Sequence, residues 1–168
     1  LAALRELSTN YRSSVVLCTA TQPAIERREG FAIGLEGVRE IMPDPPGLYA
    51  ALKRVEVRDL GSLGDEELVT RIVREPQVLV IVNTRRHARI LFEQVKEQEG
   101  VVHLSAAMCP AHRSSVLADV RERLSRGEPC RVISTQLIEA GVDVDFPIVF
   151  RSLAGLDAMA QAAGRCNR

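Results

Sequence analysis

The loop after an apolar run at residues 130–134 reads Ser134-Thr135-Gln136-Leu137-Ile138-Glu139-Ala140-Gly141-Val142-Asp143-Val144-Asp145-Phe146-Pro147. Hydroxyls where a strand ends, then a turn, then an acid after Gly141, suit a phosphate at one end and a sugar hydroxyl or metal at the other. A plain polar β-α-β connection has the same composition. Near the C-terminus Gln161, Arg165 and Arg168 recur at i, i+4 and i+7, on a different face from the apolar residues Leu156, Met159, Ala160 and Ala163. Two guanidinium groups beside Gly164, whose lack of a side chain admits a ligand, would make an anion clamp. On spacing alone the plainer reading is a solvated basic helix end favoured by the macrodipole. Cys109-x-x-His112 supplies two ligands where zinc takes four, and Cys18, Cys130 and Cys166 stand isolated, so no metal is expected.

These residues need elements to hold them. Residues 77–82 form a continuous apolar strand, and Asn83-Thr84 can cap a helix whose stripe is Ala88, Leu91, Phe92 and Val95, closed by Gly100. Residues 101–104 give the next strand, and residues 111–126 a helix with Val116, Leu117, Val120 and Leu124 inward, stopped by Gly127. Residues 130–134 and 147–150 are two further strands. A helix over residues 65–74 carries Leu68, Val69, Ile72 and Val73 on one face, and residues 52–57 alternate as an edge strand would. Apolar strands alternating with amphipathic helices demand a parallel sheet covered on both faces, so the fold class is α/β, doubly wound. Ligands in such sheets collect outside the carboxyl ends of the strands, so the loops after Val82, Leu104, Ser134 and Phe150 are where chemistry is sought.

Residues 13–18 read as one more buried strand and a short helix is expected over residues 23–28. Gly30, Gly34, Gly37, Pro43, Pro45, Pro46 and Gly47 then form the densest group of breakers. One strand cannot cover its own faces, so residues 1–28 are expected to be the end of a preceding domain, residues 29–49 a linker, and residues 50–168 the second domain. The chain opens without Met and stops inside a helical pattern, and is therefore read as a segment of a longer protein.

The 168 residues hold 22 Lys+Arg against 22 Asp+Glu, so no global basic charge argues for nucleic acid and any polyanion site must be local. Four scattered Cys fit a reducing, cytoplasmic setting better than a disulfide framework. No apolar run is long enough for a membrane span.

Taken in order, Thr19-Ala20-Thr21, Val82-Asn83-Thr84-Arg85, His103-Leu104-Ser105 followed by Met108-Cys109-Pro110-Ala111-His112-Arg113, the segment from Ser134 to Pro147, and Gln161-Ala162-Ala163-Gly164-Arg165-Cys166-Asn167-Arg168 resemble the later motifs of a superfamily 2 helicase. More narrowly, they resemble the CRISPR-associated helicase-nuclease of type I interference systems, whose motor is two RecA-like domains. The resemblance implies that Thr19, Ala20 and Thr21 couple hydrolysis to movement. It places Asn83, Thr84, Arg85, Thr135 and Gln136 at the DNA backbone, with His112 and Arg113 nearby, and Gly141 and Asp143 at the nucleotide. Gln161, Arg165 and Arg168 become the sixth motif, with both arginines as fingers on the γ-phosphate, where a finger can contribute roughly 10³–10⁵ in rate. ATP and Mg²⁺ are implied cofactors, bound mainly by the first RecA-like domain. Single-stranded DNA, an RNA-guided CRISPR surveillance complex and a nuclease domain in the same chain or a partner are implied partners, in antiviral defence.

The sequence contains no G-x-x-x-x-G-K-[ST], and Asp65-Glu66-Glu67 follows no apolar strand and reads as an acidic first helical turn. His87, His103 and His112 are not joined by a His-Asp pair, so these residues unaided are expected to hydrolyse nothing. Two other readings fit the same features. One is another superfamily 2 enzyme such as a DEAH-type RNA helicase, and the other is a non-catalytic nucleic-acid-binding RecA-like module.

Overall fold

The computed structural model describes residues 1–18, 24–139 and 141–167. They divide into two compact units, residues 1–53 and residues 54–168. The first contains α1 (Ala2–Asn10) and α2 (Pro45–Ala51), the latter started by the Asp44 carboxylate, which accepts from the Gly47 N–H. Arg5 donates to the carbonyls of Ile33 and Gly34 at 2.9 and 2.7 Å, and Arg27 pairs with Glu36.

The expected strand at residues 13–18 is absent: among the described residues the segment pairs with no strand, and Val15, Val16 and Leu17 are exposed. A β-branched run becomes a strand only when a neighbour takes its backbone N–H and C=O groups. Residues 24–28 are not helical either, and Glu26 and Arg28 instead bridge to Leu35 and Phe31. Pro23, where that helix was expected to start, lies outside the described residues.

The second unit starts in irregular chain, where the strand expected at residues 52–57 does not form. Val57 is solvent-exposed, and Glu56 pairs within its own segment with Arg58 at 2.9 Å. Next comes α3 (Asp65–Arg74), with Asp65, Glu66 and Glu67 in its first turn and Arg71 and Arg74 in its last, each sign at the end of the helix dipole that favours it. β1 (Gln77–Ile81) leads to α4 (Arg85–Val95), which Thr84 caps by accepting the His87 N–H at 3.1 Å. β2 (Val101–Leu104), α5 (Pro110–Arg126), β3 (Cys130–Ser134), a 3-10 turn at Gln136–Ile138, β4 (Val149–Arg151) and α6 (Leu156–Ala163) complete it.

The sheet is parallel, in the order β2-β3-β1-β4. The chain passes from β1 over β3 to β2 through α4 and returns from β2 to β3 through α5. Right-handed crossovers running in opposite directions lie on opposite faces, and the two helices duly cover opposite faces. Val78, Val80 and Val82 pack with Ile72, Ala88, Leu91 and Val95 from α3 and α4. Leu79 and Ile81 face the other way, with Leu117 and Val120 of α5, Phe146, and Ala162 of α6. Five consecutive β1-region residues, Val78 to Val82, are at most 1% exposed, and at about 1.5–3 kcal/mol per buried aliphatic side chain they anchor the fold.

The inward face of α6 differs from expectation. Leu156 and Ala160 are exposed, while Ala162 is buried and Ala158, Met159 and Ala163 are half-buried. The one buried residue of this short helix is the small Ala162 while the bulky Leu156 is exposed, so bulk did not mark the buried face.

Gly100 ends the turn before β2 at φ +72°, and a Cβ there would lie 2.0 Å from the Pro129 carbonyl oxygen. Gly127 caps α5 in the left-handed conformation with open space around it. Gly100→Ala is therefore expected to lower stability more than the roughly 1–2 kcal/mol of left-handed strain that bounds Gly127→Ala. Denaturant midpoints of the two variants check the ordering.

Cys130 is fully buried in β3, and desolvation pushes its thiol up to about 11, whereas Cys18 and Cys109 are exposed. A maleimide at neutral pH is expected to label Cys18 and Cys109 and to spare Cys130 until denaturant is added. Equal labelling rates for Cys109 and Cys130 in the native protein would contradict a buried central strand.

Candidate functional site at the carboxyl edge of the sheet

The register places Ile81 beside both Ser134 and Arg151, so β1, β3 and β4 end together and their outgoing loops share one edge. The Ser134 hydroxyl is spent internally, donating to the Leu104 carbonyl at 3.0 Å, and ties β2 to the same edge. Thr135 is buried at the exit of β3, and the exposed Gln136 donates to the Asn83 carbonyl at 3.4 Å. Residues from two sequence motifs are thereby brought together.

At the centre of this edge is an ion pair that sequence reasoning missed. Arg151 Nε lies 2.7 Å from Glu139 Oε1, and the side chains are 4% and 6% exposed. The approach is close but lacks the alignment of a directional hydrogen bond. Arg151 Nη1 also donates to Asn83 Oδ1 at 2.6 Å and to the Ser152 carbonyl at 2.8 Å. Asn83 Nδ2 in turn donates to the Leu153 carbonyl at 2.9 Å. Both residues had a signal: Arg151 ends an apolar strand and Glu139 follows Leu137 and Ile138, and a charge in such a run is either exposed or paired.

Arg165 reaches the same Glu139 through that residue's backbone. Its Nη2 donates to the Glu139 carbonyl at 2.6 Å, while its buried Nε has no hydrogen-bond partner among the described residues. The Arg165 backbone carbonyl accepts from Phe146 N–H at 2.9 Å, and Asn167 N–H donates to the Phe146 carbonyl at 3.2 Å. Phe146 is fully buried, so the segment carrying Arg165 is clamped to the core. An orphaned buried N–H on a guanidinium suits an anion, because an unmade bond to a charged donor costs about 1–3 kcal/mol or more.

The other expected site residues spread along the edge. Thr84 and Arg85 begin α4, with Arg85 exposed. His112 is exposed and Arg113 half-buried in the first turn of α5, next to the end of β2. Gly141 stands at φ +69° with open space around it, as a close approach by a ligand would require. Asp143 alternates with buried Val142 and Val144, so its side chain faces outward. Its carbonyl accepts from Arg121 at 2.8 Å, and it lines a shallow hollow with Arg121, Ser125 and Asp145. Gln161 is exposed on α6, and Arg165 falls just beyond that helix, after Gly164, so the two do not share a continuous helical face. Thr19, Ala20, Thr21 and Arg168 lie outside the described residues. No group of three or more His, Cys, Asp or Glu among the described residues could hold a metal ion, and no helix among them is long and apolar enough to cross a membrane.

Residues 74–168 match the family described as CRISPR-associated nuclease/helicase Cas3, C-terminal. The chain belongs to that family. It is 31% identical over 115 residues to the CRISPR-associated nuclease/helicase Cas3 of Methanothermobacter thermautotrophicus, covering 68% of this chain and 13% of the relative. To that of Haloferax volcanii it is 54% identical over 54 residues, 32% of this chain and 6% of the relative. The chain thus spans a small part of the Cas3 proteins it matches. Among solved structures, the T. fusca Cas3-ADP crystal structure aligns with TM-score 0.53 and 18% identity over 64% of this chain and 14% of its own. A chain of a CRISPR RNA-guided surveillance complex, pre-nicking, aligns with TM-score 0.53 and 21% identity over 68% of this chain and 15% of its own. At these identities what is shared is the RecA-like fold. The Cas3-family match covers β1 to Asn167, and so contains the whole network of Asn83, Glu139, Arg151 and Arg165.

Removing one member of a buried pair strands the other, at about 3–5 kcal/mol. Glu139→Ala is expected to lower the denaturation free energy by that order, and Glu139→Leu combined with Arg151→Met by far less. With Glu139→Leu and Arg151→Met also made singly to close the cycle, additive losses would show that the two charges do not depend on each other.

Proposed function

We propose that this chain supplies the second RecA-like half of an ATP-dependent single-stranded DNA translocase and helicase that acts in CRISPR antiviral defence. In this reading residues 1–28 end the first RecA-like domain, residues 29–49 link the two, and residues 50–168 form the second. The observation that carries it is the placement of Arg165: a guanidinium whose buried Nε has no hydrogen-bond partner among the described residues, on a segment clamped through Phe146 and bonded to the loop after β3.

Phosphoryl transfer asks for little covalent chemistry from a protein and much positioning of positive charge. Arg165, with Arg168, serves as the finger on the γ-phosphate, and Gln161 stands in the same motif. Gly141 and Asp143 approach the nucleotide, ATP with Mg²⁺, which the first domain mainly binds. Asn83, Thr84, Arg85, Thr135 and Gln136 line the path of the strand, with His112 and Arg113 at its β2 end, and Thr19, Ala20 and Thr21 couple the halves. Because the finger comes from one domain and the nucleotide from the other, hydrolysis requires the cleft to close. The related chains seen with ADP and in a surveillance complex support the nucleotide and an RNA-guided complex as partners here. The reading further places the protein in the cytoplasm, with a nuclease domain in the same chain or a partner.

The test is ATP hydrolysis by the full-length chain with and without single-stranded DNA. Arg165→Ala is expected to lower the DNA-stimulated kcat by roughly 10³-fold or more while ATP still binds. Hydrolysis that ignores DNA, or that ignores the substitution, overturns the reading.

A further inference from the structure

The Arg151 side chain is too buried to touch DNA or nucleotide, yet its guanidinium engages three loops. Nη1 holds the Asn83 amide oxygen and the Ser152 carbonyl, and Nε faces the Glu139 carboxylate. The Glu139 backbone carbonyl then receives Arg165. The result is one connected series, Asn83 to Arg151 to Glu139 to Arg165, joining the residue assigned to the strand with the residue assigned to the γ-phosphate.

We propose that Arg151 is a positioning residue that transmits DNA occupancy at Asn83 to the placement of Arg165, through its buried pair with Glu139. The proposal rests on the motor reading above. Both ends of the series can exchange partners. The Asn83 amide N–H now bonded to Leu153 can be offered to a strand phosphate, and Arg165 Nη2, now on the Glu139 carbonyl, can be offered to the γ-phosphate. When the Asn83 amide turns, Arg151 Nη1 loses an acceptor at 2.6 Å, and its remaining hold shifts to Ser152 and Glu139. The pair itself cannot dissolve, because an isolated buried charge is far costlier than a displaced one. A displacement at one loop is therefore carried to the other rather than absorbed by solvent. Arginine is needed because three acceptors surround one planar fork, and an ammonium is a point charge that can satisfy the carboxylate without spanning to Asn83.

The experiment uses the full-length chain, an unstructured oligodeoxythymidylate, and the variants Arg151→Lys, Asn83→Ala and the double. ATP turnover is measured without DNA and at saturating DNA, with the KM for ATP and the thermal midpoint of each variant. Arg151→Lys keeps the charge opposite Glu139. It is expected to lower kcat at saturating DNA by roughly tenfold or more, with the KM for ATP changed less than about threefold. The double variant is expected to be no worse than the poorer single, because the two residues act in one series. If Arg151→Lys melts early, exposed Asn83→Ala carries the test: a relay lowers kcat at saturating DNA, whereas a plain DNA contact raises only the DNA concentration required. An Arg151→Lys kcat within about twofold of wild type, or losses that multiply in the double variant, overturns the proposal. Wild-type hydrolysis that DNA does not stimulate overturns the motor reading and this proposal with it. Stimulated wild type with an indifferent Arg151→Lys overturns the proposal alone.

Discussion

β1 is flanked on both sides and buried on both faces, and a strand in that position can leave no backbone group unpaired. β3 must take one edge in register from Gln77–Cys130 to Ile81–Ser134, and β4 must take the other from Leu79–Val149 to Ile81–Arg151. The rest of the unit depends on this double pairing. It makes three strands end at one level, and so brings Asn83, Gln136 and Arg151 together although they are far apart in the chain.

Placing Arg151 at the end of β4 also creates a difficulty that the fold must solve. A guanidinium almost excluded from water needs an anion and acceptors, and the segment after β3 supplies the Glu139 carboxylate while β1's loop supplies Asn83. A hydrophobic pair of similar volume would be as stable or more so, since desolvation offsets much of the Coulomb gain. Stability alone does not explain the charges. What they provide is a defined geometry among loops that are otherwise joined only by single exposed hydrogen bonds such as Gln136 to Asn83 and Asn83 to Leu153, and it extends to Arg165 through the Glu139 carbonyl. Under the proposed motor function, which assigns strand and nucleotide to loops of this one sheet edge, such a defined geometry is chemically useful.

Much of this architecture was legible in the residues. The Asp65–Arg74 and Cys130–Ser134 elements fall where their periodicity put them, Thr84 caps α4, and Gly127 ends α5. The apolar alternation at residues 52–57 and the β-branched run at residues 13–18 carried the same local signal without forming strands. On α6 the largest apolar residue, Leu156, faces solvent while Ala162 is buried. Propensity describes what a segment tolerates, and in each case the presence or absence of a partner surface decided the outcome.

Local residue patterns sufficed for the helices and strands of residues 65–163, the parallel α/β class, and the ordered motifs that mark the family. Each of these follows from interactions between residues a few positions apart or from a fixed spacing of residue types. The packed fold was needed to make Glu139 and Arg151 partners, to bond Arg165 to a loop carbonyl from beyond its helix, and to select the buried face of α6. The pairing of a buried charge depends on strand order and register, and those arise from contacts between segments that no local pattern encodes.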